Sequence, residues 1–230
     1  MERTVLTAHN FNAWFGTNQV LKNINVDIYK NKITAVMGPS GCGKTTFIRF
    51  INRMHELTPG AAVSGKIFIH DEDIYNMYPI LLRRKVGMVF QSFNLISHYT
   101  AQQNVETALF FDNTPRRERT KLATTILNQL GLSDRLTHRP ADLSGGEQQR
   151  VAIARAIVKK PEILFADEPT GNLDHDNAQQ IIQLLTDLNR AGLTIVLVTH
   201  NLEMARQYTR RIIRMNYGKI VDGVSGGATP

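Results

Sequence analysis

The run Gly38-Pro39-Ser40-Gly41-Cys42-Gly43-Lys44-Thr45 constrains this chain more than any other stretch, because it fits GxxxxGK[ST] in the right context. A strand-like apolar run, Ile33–Met37, precedes it and a helical run follows. Glycines let the backbone curl so that several amides point at one anion, and the helix dipole adds to their pull. Lys44 is expected to reach the β- and γ-phosphates of a nucleotide, and the Thr45 hydroxyl to ligate Mg²⁺. A plain glycine-rich turn is the competing reading, and the full set of anchor residues argues against it. Cys42 has no base spaced beside it, so it reads as a small filler rather than a catalytic thiol. It remains a candidate for alkylation that bound nucleotide would block.

Further strand-like runs occur at Ile67–His70, Val86–Phe90, Ile163–Ala166, Thr194–Thr199 and Ile212–Met215. Helical periodicity lies between them: Leu122, Ile126, Leu127 and Leu130 share one face, and Ile181, Ile182, Leu185 and Leu188 another. The runs at 163–166 and 194–199 are apolar on both faces, as central parallel strands are. The alternation predicts an α/β fold with a mostly parallel sheet. Residues 92–158 break the rhythm and read as an inserted helical subdomain. The expected division is therefore an N-terminal β part with the P-loop core (1–91), the helical subdomain (92–158), the rest of the α/β core (159–222) and a flexible tail (223–230).

Composition removes several classes. No apolar run approaches the eighteen or more residues that span a bilayer, and MERTVLTAHN is not a secretory leader, so a soluble, cytoplasmic protein is expected. A single cysteine excludes an intrachain disulfide framework and a clustered-thiolate zinc site, and the seven histidines show no metal-ligand spacing. The net charge of +7 suits polyanionic ligands without choosing among them.

Ile163-Leu164-Phe165-Ala166-Asp167-Glu168 is an apolar strand that releases two acids at its C-terminal end, where α/β folds place ligands. After a P-loop this reads as the Walker B element: Asp167 for Mg²⁺, Glu168 to orient or activate the attacking water. Gln91 and His200 each follow a strand-like run in the same topological position; Gln91 is a candidate for the metal or the water. Leu143-Ser144-Gly145-Gly146-Glu147-Gln148-Gln149-Arg150 carries a capping box, Ser144 to Glu147, with two glycines at the helix mouth. It reads as a second anion cradle in a chain that already has one.

With GPSGCGKT, the glutamine of VFQ, LSGGEQQR, ILFADEP, GNLD and the histidine of LVTHN in that order, the sequence resembles the ATP-binding-cassette ATPases nearly end to end. The resemblance implies a P-loop NTPase (RecA-like) core with an antiparallel β N-terminal part. It implies an ATP-hydrolysing transporter subunit, peripheral on the inner face of the membrane, partnered by a transmembrane permease and by a second ATPase subunit, a copy of the same chain. Phe15 would stack on adenine, with Trp14 as the competing candidate, and Thr46 would bind the α-phosphate. Gln91 would link the site to the helical subdomain, Asp174 would lie at the dimer face, and His200 would contact the γ-phosphate. Ser144, Gly145 and Gly146 would face the γ-phosphate held by the partner's P-loop, which answers what the second cradle holds.

Subgroup signals diverge. Val20–Met77 looks like phosphate-importer ATPases, whereas residues 93–105, the signature region and the GNLD ending look like the lipoprotein-releasing and macrolide-exporter group. The residues after Gln91 form the family's permease-docking surface, so the reading leans to the exporter-like group, with phosphate import as the alternative. A non-transport cassette ATPase acting on nucleic acid or ribosomes is the rival class. The chain lacks the long coiled coils or second cassette of those proteins, so nucleic acid is not expected as a partner. A small-molecule kinase is opposed by LSGGE, GNLD and His200.

Overall fold

Strands β1 (Thr4–Phe15) and β2 (Asn18–Tyr29) pair antiparallel around the turn at Gly16, and β4 (Ala61–Ile69) pairs with the other edge of β1. The protein is described here by a computed structural model covering residues 3–225. The β1–β2 ladder is interrupted where Asn10 and Asn23 adopt φ of 47° and 50°. Asparagine tolerates this left-handed backbone better than most residues. Neighbouring side-chain oxygens take the stranded amides: Asn10 N donates to Asn25 Oδ1 and Asn23 N to Asn12 Oδ1, both at 2.9 Å. The bulge also dictates Gly65 on β4, since a Cβ there would lie 2.3 Å from the Asn10 carbonyl oxygen.

Among the described residues the strands make two sheets. The first has the order β2-β1-β4-β5, closed by the short β5 (Glu72–Asp73). The second has the order β10-β9-β3-β8-β7-β6. In it β3 (Ile33–Met37), β6 (Val86–Val89), β7 (Ile163–Asp167), β8 (Thr194–Val198) and β9 (Arg211–Asn216) run parallel, and β10 (Lys219–Ser225) is antiparallel to β9. This is the α/β architecture that the alternation of strands and helices predicts.

Period-two alternation explains why β7 and β8 are apolar throughout. Phe165, Val196 and Val198 point into a core shared with the first sheet and with α1 (Lys44–Ile51), including Phe47, Phe50 and Ile51. Leu164, Ala166, Ile195 and Leu197 point the other way. There they meet α5 (Gly145–Ile157), α6 (His175–Arg190), α3 (Ala101–Glu106) and α4 (Arg116–Gln129). Between Val89 and Ile163 the chain forms helices and no strand. Its apolar residues are continuous with that sheet face rather than closed into a core of their own. Two shorter helices, α2 (Pro79–Lys85) and α7 (Leu202–Tyr208), flank β6 and β3.

Strands β1 and β2 supply the antiparallel N-terminal part that the resemblance implies, each running through twelve residues with no clean apolar run because asparagines occupy the bulge. Two segments differ from expectation. Strand β4 starts at Ala61 rather than Ile67, its first residues being held by backbone pairing to Phe15 and Asn12 and not by burial. At the C-terminus, Gly223, Val224 and Ser225, expected in a flexible tail, pair with Ile213, Ile212 and Arg211. Backbone pairing to an apolar strand orders a segment whose composition gives no hint of it. The remaining tail residues, 226–230, lie outside the described residues.

One core position couples the fold to pH. The His55 ring stacks on Phe50 at 4.0 Å with 14° between planes, and its buried Nδ1 has no hydrogen-bond partner. Burial pulls the imidazole below its ordinary 6.5, against the raising pull of Glu56 and a backbone bond to Arg49, with Arg53 lowering it further. The unfolded chain therefore binds the proton more readily, and His55 costs stability as pH falls below about 6.5. Urea titrations at pH 7.5 and pH 5.5 are expected to show a drop in the native chain that is smaller in His55→Phe. An equal drop in both would remove His55 as the cause.

Candidate functional site

Four neighbouring parallel strands, β3, β8, β7 and β6, end on one edge of the second sheet, and each hands the chain to a residue singled out above. The segment after β3 curls into the glycine-rich loop. Gly43, at φ 107°, is the N-cap of α1 and supplies no side chain to its first amides. A Cβ on Gly43 would approach Leu21 Cδ2 to 3.1 Å, so the loop lies tight on β2. Lys44 is 8% exposed and folds back on this loop, donating from Nζ to the carbonyls of Gly38 at 2.8 Å and Pro39 at 2.9 Å.

Strand β7 delivers Asp167 and Glu168 in different states. Asp167 is buried and accepts from Thr45 Oγ1 at 3.0 Å. Burial raises its carboxyl pKa, and Glu168 adds to the rise, opposed by the Thr45 bond and by Lys44 and Arg49. Glu168 takes φ 48°, a strained backbone for a non-glycine residue, anchored by its N–H to the Val198 carbonyl at 2.9 Å. His200, beyond the end of β8, sets Nδ1 3.0 Å from both Glu168 oxygens. The His200 side chain is 76% exposed and that of Glu168 only 17%. The imidazole is thus far freer to turn than the carboxylate beneath it.

These residues enclose a cleft of about 340 Å³, lined by Ser40, Gly41, Gly43, Lys44, Thr45, Thr46, Gln91, Glu168 and His200. Gly38, Pro39 and Cys42 are not in the lining. The first two give their carbonyls to Lys44, and the Cys42 side chain is 5% exposed within the core. The candidate for alkylation is thus a buried filler, 5% exposed. Asp167 lies behind Thr45 as its hydrogen-bond partner.

The second cradle lies elsewhere. Ser144 caps α5 reciprocally with Glu147: Glu147 N donates to Ser144 Oγ at 3.2 Å and Ser144 N to Glu147 Oε2 at 2.8 Å. The Ser144 amide holds the Glu147 carboxyl below its usual range, helped by Arg135 at 2.8 Å. Ser144 is exposed, whereas Gly146 is buried against α6, where a Cβ would meet Asn177 Oδ1 at 2.2 Å. Asp174 caps α6, accepting from Asn177 N at 2.9 Å. None of Ser144, Gly145, Gly146 and Asp174 lines the cleft. Phe15 does not line it either; its ring packs on Phe50 of α1 with centroids 5.5 Å apart. Trp14, the preceding residue on β1, is not among the residues packed on that core.

Residues to which the sequence reading gives no role bind these parts together. Buried Gln149 donates to the Pro169 carbonyl at 2.7 Å, tying α5 to the segment after β7. Arg155 donates to the carbonyls of Phe93 and Asn94, fixing the segment after Gln91 to the same helix. Gly218 N donates to the Cys42 carbonyl at 2.9 Å, so the β9–β10 turn braces the glycine-rich loop. Their side chains or turns stand near motifs, but no spacing rule announces partners 20 to 176 residues away.

The donor set suits a small hard cation. Thr45, Asp167 and the Gln91 amide offer oxygen only, and a buried carboxylate with a raised pKa gains from a cation beside it. Among the described residues no cluster of three His, Cys, Asp or Glu forms an all-protein metal cage. One carboxylate completed by substrate phosphates is the pattern Mg²⁺ favours.

The family model described as "ABC transporter" matches residues 21–171. The glutamine transport ATP-binding protein GlnQ of Geobacillus stearothermophilus is 38% identical over 216 residues, covering 93% of this chain and 88% of that protein. The lipoprotein-releasing system ATP-binding protein LolD of Syntrophus aciditrophicus is 40% identical over 199 residues, covering 84% and 87%. Among solved structures, the ATP-binding cassette MJ0796, as a post-hydrolysis dimer bound to ADP and Pi, superposes with a TM-score of 0.83 at 34% identity, covering 97% of this chain and all of that one. CbiO1 of Clostridium perfringens, part of the ABC transporter complex cbiONQ, gives 0.86 at 27% identity, covering 98% and 90%.

Proposed function

This chain belongs to the ABC transporter family as an ATP-binding, ATP-hydrolysing subunit, and from that premise we propose how its residues divide the work. The observation that carries the reading is the single cleft joining the glycine-rich loop, Gln91, Glu168 and His200, with Thr45 bonded to Asp167 at its floor. Loop amides and Lys44 hold the phosphates; Lys44 exchanges its bonds to Gly38 and Pro39 for phosphate oxygens. Thr45, Asp167 and Gln91 would hold Mg²⁺, which would supply charge neutralisation on the phosphates. Glu168 orients and activates the water for in-line attack on the γ-phosphorus. Both its oxygens face His200 Nδ1, and a swing of His200 toward the γ-phosphate would free that side of the carboxylate for the water. That motion gives one residue two contacts in sequence.

Ser144, Gly145 and Gly146 act on the nucleotide of a second copy of the chain. Two facts support this: they lie outside their own cleft, and the similar cassette MJ0796 is dimeric with ADP and Pi. In the proposed dimer of this chain Asp174 lies at the facing surface, and Phe15, packed on Phe50 from α1, stacks on adenine. Among the described residues no helix is long and apolar enough to cross a membrane. We infer that the substrate path belongs to a permease, on whose cytoplasmic face this chain docks through the segment after Gln91.

Similar identity to glutamine-transport and lipoprotein-releasing ATPases is expected physically, since the ATPase never touches the cargo. The docking segment selects the permease, and its likeness at 93–105 favours a permease of the lipoprotein-releasing type. The test is phosphate release from ATP with no acceptor present, abolished by EDTA and restored by Mg²⁺, on protein captured from membranes with its permease. Release that survives chelation would overturn the metal reading, and capture of a phosphate-importer permease would overturn the subgroup.

A further inference from the structure

Gln91 does not reach the cleft alone. Its Nε2 donates to Asn172 Oδ1 at 3.2 Å, and Asn172 Nδ2 donates in return to the Gln91 carbonyl oxygen at 3.1 Å. The adjacent Gly171 lies so close that a Cβ would stand 2.7 Å from Gln91 Nε2, so glycine there is what leaves room for the amide beside Asn172. A primary amide has two ends of opposite character: the nitrogen only donates, and the oxygen alone can ligate a cation or accept from water. We propose that Asn172 is a positioning residue for Gln91, engaging the nitrogen so that Oε1 is the end presented to the cation and the water.

Accuracy of this kind in an outer-shell partner commonly changes metal affinity or activity about 10- to 100-fold. The arrangement also links two surfaces. Residues 171–174 touch Gln91 through Gly171 and Asn172, and Gly145 through Leu173, whose Cδ2 would be 3.2 Å from a Cβ there. Asp174 then starts α6, whose Asn177 abuts Gly146. A partner pressing on this loop would alter the hold on Gln91, so the clamp gives the cleft a physical means of registering the second chain.

The inference rests on the proposed role of Gln91 as a cation ligand, and the test separates the two. Mn²⁺ replaces Mg²⁺, and free Mn²⁺ is read by electron paramagnetic resonance with the full chain saturated by a non-hydrolysable ATP analogue. Asn172→Ala, Gln91→Ala and the double variant are compared, after analogue affinity without metal has shown each to be folded. Asn172→Ala is expected to weaken Mn²⁺ binding about 10-fold. In the Gln91→Ala background the same change should add nothing, because its effect runs through Gln91. Wild-type Mn²⁺ affinity in Asn172→Ala, with Gln91→Ala weakened, would overturn the clamp alone. Equal losses in both backgrounds would also overturn it, assigning Asn172 a general packing role. Wild-type affinity in Gln91→Ala would overturn the ligand role on which the clamp depends.

Discussion

Glu168→Gln is expected to lower ATP turnover about 10³-fold while leaving ATP affinity within about twofold of the native chain. The amide is isosteric, so it keeps a side chain of the same length at the φ 48° position and an acceptor for the His200 ring. It cannot take a proton from water at neutral pH, which removes the base and little else. The phosphate-holding groups, Lys44 and the loop amides, have no bond to Glu168, so binding survives. Steady-state phosphate release and a nucleotide-binding titration on the same preparation check both halves. Turnover at the native rate would withdraw the role from Glu168 and leave Asp167, which is buried and committed to Thr45, as a poor substitute.

Ser144→Asp is expected to have the second-largest effect, with a different signature. Aspartate is as good an N-cap as serine, so the bond from Glu147 N is kept and α5 stays capped. This matters because Ser144→Ala would confuse loss of a phosphate contact with loss of a cap costing about 1 kcal/mol. What Asp adds is a negative charge where the partner's γ-phosphate is to lie. Monomer affinity for ATP should stay native, because Ser144 is outside its own cleft, while turnover should fall more than about 100-fold through failed association. A parallel loss of monomer binding would place Ser144 in the chain's own nucleotide site and contradict the account.

The legible part of the molecule was the part where one residue type answers one physical demand. Strands β7 and β8 announce themselves because both faces are buried, so residues 163–166 and 195–198 read as unbroken apolar runs. The glycine-rich loop and the acids after β7 are local in sequence, and their context is a strand edge that the alternation already implies. Strands β1 and β2 were harder, because Asn10 and Asn23 stand at a bulge whose logic is a side-chain oxygen replacing a backbone partner. Strand β10 was hidden because its pairing to β9 is a backbone property, invisible in Gly223 and Ser225.

The cleft shows the same division. Lys44, Thr45, Glu168 and His200 were recognisable by type and position, and the structure brings them around one cavity. The inward fold of Lys44 onto Gly38 and Pro39, the burial of Cys42 and the Gln91–Asn172 exchange were not recognisable. Each depends on a three-dimensional approach: Asn172 is 81 residues from Gln91, and its side chain carries no mark of the amide it meets. Gly146 is the instructive middle case. It reads as an open cradle residue, yet its lack of a Cβ is demanded by Asn177, so packing alone already requires glycine there.

The central claim is that two copies of this chain close on ATP, the P-loop of one facing Ser144 of the other. Light scattering of Glu168→Gln during gel filtration, with and without ATP, tests it most directly, because the variant holds ATP without consuming it. The account predicts the mass of one chain without nucleotide and of two chains with it, carrying two ATP per pair. A single-chain mass with ATP stoichiometrically bound would contradict it.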